Sequence, residues 1–400
     1  MEQILTCHLC QTTIFSGINS TDQLASELQK RGIQHPVFVT DGKISSCEWF
    51  GKLIAPISSK VVYDRVTPNP KDYEVMQGVE FYKDHSCDMV IGIGGGSAMD
   101  CAKAISAMVR HEGCIMDYGR SNPNRKYFTA GREPLILIPT TMGTGSEVSP
   151  HAVITNTKKD KKSDLQELIF YPDAVFLNPV FLMTLPKDIV KDTGIDALCH
   201  AIEVYTSKKV IYQFAPLHEA AALKAIELVA EYLRPAVFAG DTDLNAKAHM
   251  QWAAMLAGFA LDLDAGCAHG LTGVLQKRYH CMTHGQSVGL ILPSVMEYNA
   301  LSYPKRFRAI AEAFHEPLED CNDQQAAQKA ISAVRRLLKD IQFVKLSDFM
   351  SNQNEIEEFY QEGAGNSCNQ NNARTVTAED ARSIYLRAFH DSYEEQISCN

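Results

Sequence analysis

The chain of 400 residues is 45% apolar and 22% charged, and it carries a formal net charge of −10. This length predicts two domains, and the composition is typical of a globular protein in water. The negative charge, without an extended stripe of Lys or Arg, argues against nucleic acid as a partner. No apolar run approaches the roughly 18 residues of a membrane span, so we expect no association with a membrane.

Twelve cysteines are scattered along the chain without a regular framework. They are too sparse for a disulfide scaffold, so we expect free thiols and a cytoplasmic location. The first residues, MEQILTCHLC, lack the basic and apolar regions of a secretion signal. Their Cys7-His-Leu-Cys10 has no second cysteine pair to complete a zinc site and is interpreted as structural.

Strand and helix patterns alternate in the first half of the chain. Short β-rich runs occur at residues 35–41, 59–66, 88–94 and 134–141, and a helical pattern precedes them at 20–32. Alternation of this kind predicts a mostly parallel sheet with helices on both faces. A dinucleotide-binding α/β domain is therefore expected at residues 1–185.

Beyond about residue 186 the pattern changes. Apolar residues recur at helical spacing and no convincing strand intervenes, in the segments 186–207, 218–233, 246–261, 301–314, 323–341 and 377–389. A polar stretch at 361–374 predicts a loop before the last helix. We therefore predict an all-helical second domain at residues 186–400.

A glycine-rich loop follows the strand at 88–94, in the sequence DMVIGIGGGSAMDCAKAIS. Glycines between a strand and a helix let the backbone approach a ligand, and the helix N-terminus favours phosphate. The alternative is a tight turn without a ligand, since such a loop alone is a weak signal. A second loop of small and hydroxyl residues, PTTMGTGSEVS, occurs at 139–149 and would also suit a nucleotide.

The acidic residue of the usual dinucleotide fingerprint is not found about 20 residues after the glycine loop. The best candidate, Asp41, lies upstream at the end of a predicted strand. Its carboxylate could receive the ribose hydroxyls and repel a 2′-phosphate, which favours NAD over NADP. Alternatively, Asp41 only begins an Asp-Gly turn.

The helical half contains a set of residues suited to metal binding. Asp196 and His200 are four residues apart and share a helix face, although a core histidine or an ion pair would give the same spacing. His269 and His284 each precede a glycine. One carboxylate and three imidazoles would suit Fe²⁺ or Zn²⁺, but spacing alone does not bring the last two histidines together.

Seven motifs, spread over most of the chain, occur in a fixed order. They are Pro68-Asn69-Pro70, GGGSAMDCAK (94–103), PTTMGTGSEVS (139–149), TGIDALCHAIE (193–203), AHG (268–270), THG (283–285) and NSCNQNNARTVTAED (366–380). In this order and at these intervals they resemble the iron-containing (group III) alcohol dehydrogenases, from about residue 15 to the last helix. The resemblance implies a Rossmann-like α/β domain followed by an all-α domain, as in the dehydroquinate synthase-like fold, and a homodimer.

The resemblance also implies roles for individual residues. Four match the metal ligands of the family: Asp196, His200, His269 and His284. Ten are assigned to cofactor binding: Asp41, Asn69, Gly95, Gly96, Ser97, Asp100, Thr140, Thr141, Thr144 and Lys162. Lys162 belongs to the basic cluster 158–162, which would otherwise be interpreted as a solvated turn.

The sequence departs from the family around the expected substrate pocket. Gly273 stands where many members have a further histidine, four residues after the third ligand, which is thought to assist proton transfer. His280, in a slightly longer interval before the fourth ligand, is a candidate replacement. His151 stands where an asparagine commonly faces the substrate, so we also treat it as a candidate catalytic residue.

Charged residues near this pocket suggest two opposite substrates. Lys277 and Arg278, with the two candidate histidines, could accept a sulfo-, phosphono- or carboxy-aldehyde. Asp262 and Asp264 would instead suit a cationic alcohol such as choline. A third interpretation is that all of these charges are solvated and irrelevant.

The expected function is hydride transfer between NAD(H) and a small primary alcohol or aldehyde, with Fe²⁺, or else Zn²⁺, acting as a Lewis acid on the substrate oxygen. One alternative is an NAD-using lyase of the dehydroquinate synthase type, which shows no net redox change. Another is a non-catalytic dinucleotide-binding protein, against which the complete set of four metal ligands argues.

Overall fold

The computed structural model describes residues 11–120 and 122–393. The CxxC pair at Cys7 and Cys10 lies outside these residues. The chain divides into two compact units, one that ends at Thr184 and one that begins at Leu185. No helix among the described residues is long and apolar enough to cross a membrane.

A six-stranded sheet forms the centre of the first unit. Its strands are β1 (Thr13–Ser16), β2 (Pro36–Val39), β3 (Val61–Tyr63), β4 (Met89–Gly94), β5 (Leu135–Pro139) and β8 (Ala174–Leu177). They lie in the order β1-β8-β5-β4-β2-β3, and every neighbouring pair is parallel. The predicted parallel sheet is therefore confirmed.

Both faces of this sheet are buried, which explains why its central strands are continuously apolar. Val37 and Val90 pack into the core on one face, and Phe38 and Ile91 pack into the core on the other. The helices of the unit are α1 (Leu24–Lys30), α2 (Gly42–Ser45), α3 (Glu48–Ile54), α4 (Asp72–Asp84) and α5 (Gly96–Met108). Because side chains alternate between the two faces of a strand, each central strand contributes to both cores.

The sequence patterns missed β1, β8 and an antiparallel hairpin of β6 (His151–Asn156) and β7 (Lys161–Gln166). Strand β7 reads KKSDLQ, and only its Ser163 and Leu165 are buried. This short, polar strand carries little hydrophobic alternation. The predicted solvated turn at 158–162 was partly wrong, because the turn covers 157–160 and Lys162 belongs to β7.

The described part of the second unit contains helices and no strand, as predicted. The helices are α6 (Lys187–Tyr205), α7 (Lys208–Gln213), α8 (Pro216–Phe238), α9 (Leu244–Ala260), α10 (Cys267–Arg278), α11 (His284–Ala300), α12 (Pro304–Ala313), α13 (Asp323–Asp340), α14 (Tyr360–Ala364) and α15 (Ala378–His390). Helix α6 packs against α8, α9 and α11, and its second half is buried. The α6 residues are therefore in the core of the bundle.

The segment predicted as a loop at 361–374 is partly helical. It contains most of α14 and a 3₁₀ turn at Ser367–Asn371, which packs against α10. The Asn371 side chain donates hydrogen bonds to the carbonyls of Leu263 and Asp264. Polar side chains that bond to the backbone thus fix a segment that has no apolar periodicity.

Candidate functional site

Three helices bring the four predicted metal ligands together. Asp196 and His200 lie one turn apart on α6 and are only 2% and 6% exposed. His269 lies in the first turn of α10, and His284 is the first residue of α11. A ligand atom from each of the four residues lies within 4.8 Å of a ligand atom from every other.

The distances within this metal centre fit a bound cation. The Nε2 atoms of His200, His269 and His284 lie 3.6, 3.7 and 3.6 Å from Oδ1 of Asp196. These separations are too long for hydrogen bonds. They approach the ~3.3–3.6 Å between ligand atoms expected in a tetrahedron with metal–ligand bonds of about 2.0–2.2 Å. Oδ1 of Asp196 and Nε2 of His269 are buried and have no hydrogen-bond partner, as expected of metal ligands.

The charges at the centre also favour a cation. Burial by itself raises the pKa of Asp196, but the three imidazoles outweigh burial and hold the pKa well below its ordinary range. Burial lowers the pKa of His269, whereas the nearby carboxylates raise it, and the net shift is well upward. A divalent ion would supply the positive charge that protons on the imidazoles otherwise provide.

The centre has an open side. The His284 side chain is 41% exposed, in contrast to the buried Asp196. Structural metal sites are usually closed by protein ligands, whereas catalytic sites keep a position for water or substrate. The exposure of His284 is therefore typical of a catalytic site.

Glu203 is a residue of the centre to which the sequence assigned no role. It is buried on α6, and its carboxylate accepts hydrogen bonds from Nδ1 of His269 and from the backbone N–H of Ala268. The bond from Nδ1–H fixes the imidazole so that Nε2 faces the metal position. Its spacing could have indicated this, since Glu203 lies three residues after His200 and seven after Asp196, on the same face of α6.

His284 is also positioned by neighbouring groups. The Gln276 side-chain amide lies 3.2 Å from Nδ1 of His284. Thr283 caps α11, because its Oγ1 accepts a hydrogen bond from the Gln286 backbone N–H and donates one to the carboxylate of Asp192 on α6. The side chain before His284 thus connects α11 to the helix that carries Asp196.

The glycine after each of the two later histidines permits a close approach. A Cβ on Gly270 would lie 2.1 Å from Oδ1 of Asn369, and a Cβ on Gly285 would lie 2.0 Å from the carbonyl oxygen of Asp192. No side chain fits at these distances. The glycines in AHG and THG therefore allow neighbouring segments to pack directly against the helices that carry the ligands.

In the first unit, the two loops predicted to bind a cofactor lie side by side. A Cβ on Gly95 would lie 3.1 Å from Thr141, and one on Gly96 would lie 2.8 Å from Thr144. The Thr140 backbone N–H donates to the Gly94 carbonyl. Packing between the two loops therefore explains part of the requirement for glycine at positions 95 and 96. No side chain caps the start of α5, so its N–H groups stay well suited to phosphate.

The segment around Asn69 joins these loops. The Asn69 backbone N–H donates to Oγ of Ser97, and its carbonyl accepts a hydrogen bond from Thr155. Thr155 pairs with Lys162 across the β6–β7 hairpin. The structure thus brings three of the predicted cofactor residues, Asn69, Ser97 and Lys162, into one neighbourhood.

Asp100 and Asp41 have structural partners as well. The Asp100 carboxylate accepts hydrogen bonds from Oγ of Ser146 and the backbone N–H of Val153, so it ties α5 to the second loop and the hairpin. Asp41 caps α2, because its Oδ1 accepts from the backbone N–H groups of Lys43 and Ile44. Only Oδ1 of Asp41 takes part in this cap.

The two candidate catalytic histidines lie outside the group of four ligands. His280 is exposed in the turn after α10. Nδ1 of His151 lies 3.0 Å from Oδ1 of Asp164, its neighbour on the hairpin. The structure therefore does not include His280 among the grouped residues of the metal centre.

The charges that suggested an ionic substrate are paired within the protein. Lys277 contacts Glu362, and Arg278 contacts Glu358. Asp264 accepts from Lys209, at 2.7 Å, and Asp262 lies 3.6 Å from buried His218. Lys277, Arg278 and Asp264 therefore each have an oppositely charged partner within the protein.

Two family models together match most of the chain. The model described as "Iron-containing alcohol dehydrogenase" matches residues 11–179, and "Fe-containing alcohol dehydrogenase family, C-terminal" matches residues 190–389. The chain therefore belongs to the iron-containing alcohol dehydrogenase family, which confirms the resemblance found in the sequence. The predicted oxidoreductase class and the predicted cofactors, NAD and iron, are those of this family.

Individual relatives cover nearly the whole chain. A choline dehydrogenase of Bacillus subtilis (strain 168) is 34% identical over 385 residues, which cover 95% of this chain and 94% of the relative. An NAD-dependent methanol dehydrogenase of Bacillus methanolicus is 30% identical over 378 residues, 93% of this chain and 97% of the relative. The crystal structure of a 1,3-propanediol oxidoreductase superimposes with a TM-score of 0.89 at 30% identity, over 97% of this chain and all of that one.

Replacing Gly285 with alanine should separate α11 from α6. The added methyl group would lie 2.0 Å from a backbone oxygen that no side-chain rotation can move. We expect Gly285→Ala to lower the free energy of unfolding by about 3 kcal/mol and to weaken metal binding, measured by thermal melting and metal titration. Gly51→Ala is the control, because Gly51 is exposed on α3 with no atom within 4 Å of its Cβ position. Equal stability of both variants would contradict the close contact.

Replacing Glu203 with glutamine tests its role behind His269. The carboxylate accepts from two N–H groups at once, and an amide has only one acceptor oxygen for them. We expect the metal affinity to fall by about 10- to 100-fold, measured by competition with a chelator. Glu319→Gln, at an exposed position, should leave the affinity unchanged. An unchanged metal affinity in Glu203→Gln would contradict the role of Glu203 in the site.

Proposed function

We propose that this enzyme transfers hydride between NAD(H) and a small primary alcohol or aldehyde, with Asp196, His200, His269 and His284 as its metal ligands. The observation that carries the proposal is the convergence of one carboxylate and three imidazole nitrogens from three helices. A buried group of this composition costs free energy unless a cation neutralises it. Such a donor set suits Fe²⁺ as well as Zn²⁺.

When bound, the divalent ion would supply Lewis acidity at the substrate oxygen, and NAD would supply the hydride acceptor. The protein's own residues prepare the site for this chemistry. Asp196 stays ionised and contributes the negative charge. Glu203 holds His269 in the tautomer that turns Nε2 towards the centre, and Gln276 lies against Nδ1 of His284.

On the cofactor side, we propose that residues 1–185 bind NAD and residues 186–400 bind metal and substrate. The start of α5, with Gly95, Gly96 and Ser97, would hold the pyrophosphate through backbone N–H groups. The remaining contacts are assigned to Asp41, Asn69, Thr140, Thr141, Thr144 and Lys162. Asp100 would act by positioning, since its carboxylate is bonded to the second loop and the hairpin.

A neutral alcohol is the substrate that the paired charges favour. A sulfo-, phosphono- or carboxy-aldehyde would have to compete with Glu362 and Glu358 for Lys277 and Arg278. A choline-like alcohol is the second candidate, because a choline dehydrogenase is among the relatives. Its cationic group would meet an Asp264 already neutralised by Lys209. Release of NADH with an alcohol would distinguish all of these from a lyase.

Further expectations accompany this proposal. His280 and His151 stay candidate catalytic residues, His280 as an exposed acid–base group and His151 beside Asp164. A homodimer and a cytoplasmic location follow from the family resemblance and from the cysteine usage. The nine described cysteines are free thiols.

Removing one ligand tests the metal centre. We expect His284→Ala to lose bound metal and to lower kcat/KM by at least about a thousandfold, because three ligands then remain and the Lewis acid is lost. Metal content and NADH formation with 1-propanol are measured on the same preparation. The matched control is His35→Ala, at an exposed histidine of the first unit. A metal-free His284→Ala protein with full activity would overturn the ligand assignment.

Two substitutions of Asp41 test the choice between NAD and NADP. Asn keeps an Oδ1 that can cap α2 and removes the charge, whereas Gly removes both. If charge repulsion excludes the 2′-phosphate, both Asp41→Asn and Asp41→Gly should lower the NAD/NADP ratio of kcat/KM by about tenfold or more, or about 1.4 kcal/mol. Asp84→Asn, exposed at the end of α4, controls for net charge. An unchanged ratio in both variants would exclude Asp41 from cofactor selection.

A further inference from the structure

Lys103 is a buried charged residue to which the proposed function assigns no role. It lies on α5, at the end of the segment GGGSAMDCAK, and is fully buried. Its ammonium donates a hydrogen bond of 3.0 Å to the Ser149 carbonyl and one of 2.8 Å to the His151 carbonyl. Both acceptors belong to the backbone where the second loop, residues 139–149, runs on into β6.

One face of α5 follows this loop along its length. Gly96, Asp100 and Lys103 are spaced by four and three residues, so they lie on the same face of the helix. Gly96 lies against Thr144. Asp100 accepts a hydrogen bond of 2.6 Å from Oγ of Ser146. Lys103 therefore completes a row of contacts that attaches the loop to the helix.

The hydrogen bonds of Lys103 fix a part of the backbone that lies between regular elements. Between β5 and β6, the regular structure of the loop is a 3₁₀ turn at Ser146–Val148. Ser149, directly after this turn, is buried, and a buried carbonyl without a donor costs free energy. One ammonium supplies a donor to this carbonyl and to that of His151. It thereby holds the backbone on both sides of Pro150.

A buried charge is a costly way to fill this space. Burial lowers the pKa of Lys103 to about 8, although three nearby carboxylates favour its charged form, those of Asp100, Glu147 and Asp164. The ammonium is thus still mostly charged at pH 7, and charge-assisted hydrogen bonds are stronger than neutral ones. Apolar side chains of similar volume often stabilise a core at least as well as buried charges. The benefit that we infer for Lys103 is therefore a fixed backbone position.

We propose that Lys103 is a positioning residue for the cofactor, because it holds residues 139–151 in the conformation that binds NAD and does not contact NAD itself. This inference rests on the proposed function, in which Thr140, Thr141 and Thr144 of this loop contact the cofactor. The ammonium is enclosed by protein and directed at two carbonyls, so it acts through the loop. Without it, NAD would have to order the loop on binding, at a cost in affinity.

Replacing Lys103 with methionine tests this role. Methionine fills much of the same space and has no donor, so Lys103→Met removes both hydrogen bonds. We expect the Kd for NADH, measured by fluorescence titration, to rise by about tenfold or more. At saturating NAD, kcat should change by less than about threefold, because bound cofactor restores the loop. The matched control is Lys247→Met, the same exchange at a buried lysine of α9, which should leave the Kd unchanged.

A second measurement follows the loop in the protein without cofactor. Amide hydrogen exchange in peptides that cover residues 139–153 should be faster in Lys103→Met than in the unsubstituted protein, and added NADH should slow it again. Peptides that cover the proposed metal ligands, and the metal content, should not change. If Lys103→Met does not fold, Lys103→Gln takes its place. Its side chain is uncharged and one atom shorter, so we expect the same changes, with a rise in Kd of at least about threefold.

Each outcome decides between the claims. Faster exchange confined to the loop, together with weaker NADH binding, supports the role of Lys103. If the unsubstituted protein binds NADH and the variant has the same Kd, this inference is overturned and the proposed function stands. Faster exchange throughout both units, with loss of metal, shows a merely structural role and overturns it too. If the unsubstituted protein binds no NADH, the proposed function fails and this inference fails with it.

Discussion

The buried carboxylate of Asp196 is the constraint on which the helical unit depends. An ionised group in the core of a helix bundle is costly unless positive charge or hydrogen-bond donors surround it. Here the surrounding groups are three imidazoles contributed by α6, α10 and α11. The ends of α10 and α11 must therefore point at the middle of α6. Gly285 and the Thr283–Asp192 hydrogen bond allow the required approach of α11 to α6.

A residue that is not a proposed ligand also helps to form this centre. His269 can present Nε2 to a metal because its Nδ1 is bonded to Glu203, and Glu203 is buried on the helix that carries Asp196. Two negative groups on α6 thus act on one imidazole from opposite sides. This arrangement fixes the tautomer and the ring orientation together. The two buried carboxylates, Asp196 and Glu203, also favour a bound cation at the centre.

Much of this organisation could be predicted from the sequence, and the failures have physical causes. Strands such as β4 are buried on both faces, so their apolar runs are visible in the sequence. Strand β7 has only two buried side chains and shows no such run. The proposed ligands Asp196 and His200 share a helix face, which their spacing in the sequence reveals. Their convergence with His284 depends on tertiary packing, and only the family resemblance indicated it.

Interactions between distant residues were the least predictable part. Lys277 and Asp264 look like free charges when only the chain around them is considered. Their partners, Glu362 and Lys209, are 85 and 55 residues away in the sequence. No local pattern reports such a pair. The contacts that these charges make in the folded chain could therefore not be predicted from the sequence around them.

Glycine residues permit close packing in both units. In the first, Gly95 and Gly96 let a threonine-rich loop lie directly on the glycine loop; in the second, Gly285 lets one ligand helix lie directly on another. In each case the missing side chain permits protein–protein contact, which in turn positions groups suited to a ligand. Gly273 differs, because no protein atom has taken the place of its side chain. A Cβ at Gly273 would meet little of the protein, so the close packing that explains the other glycines near the centre does not explain this one.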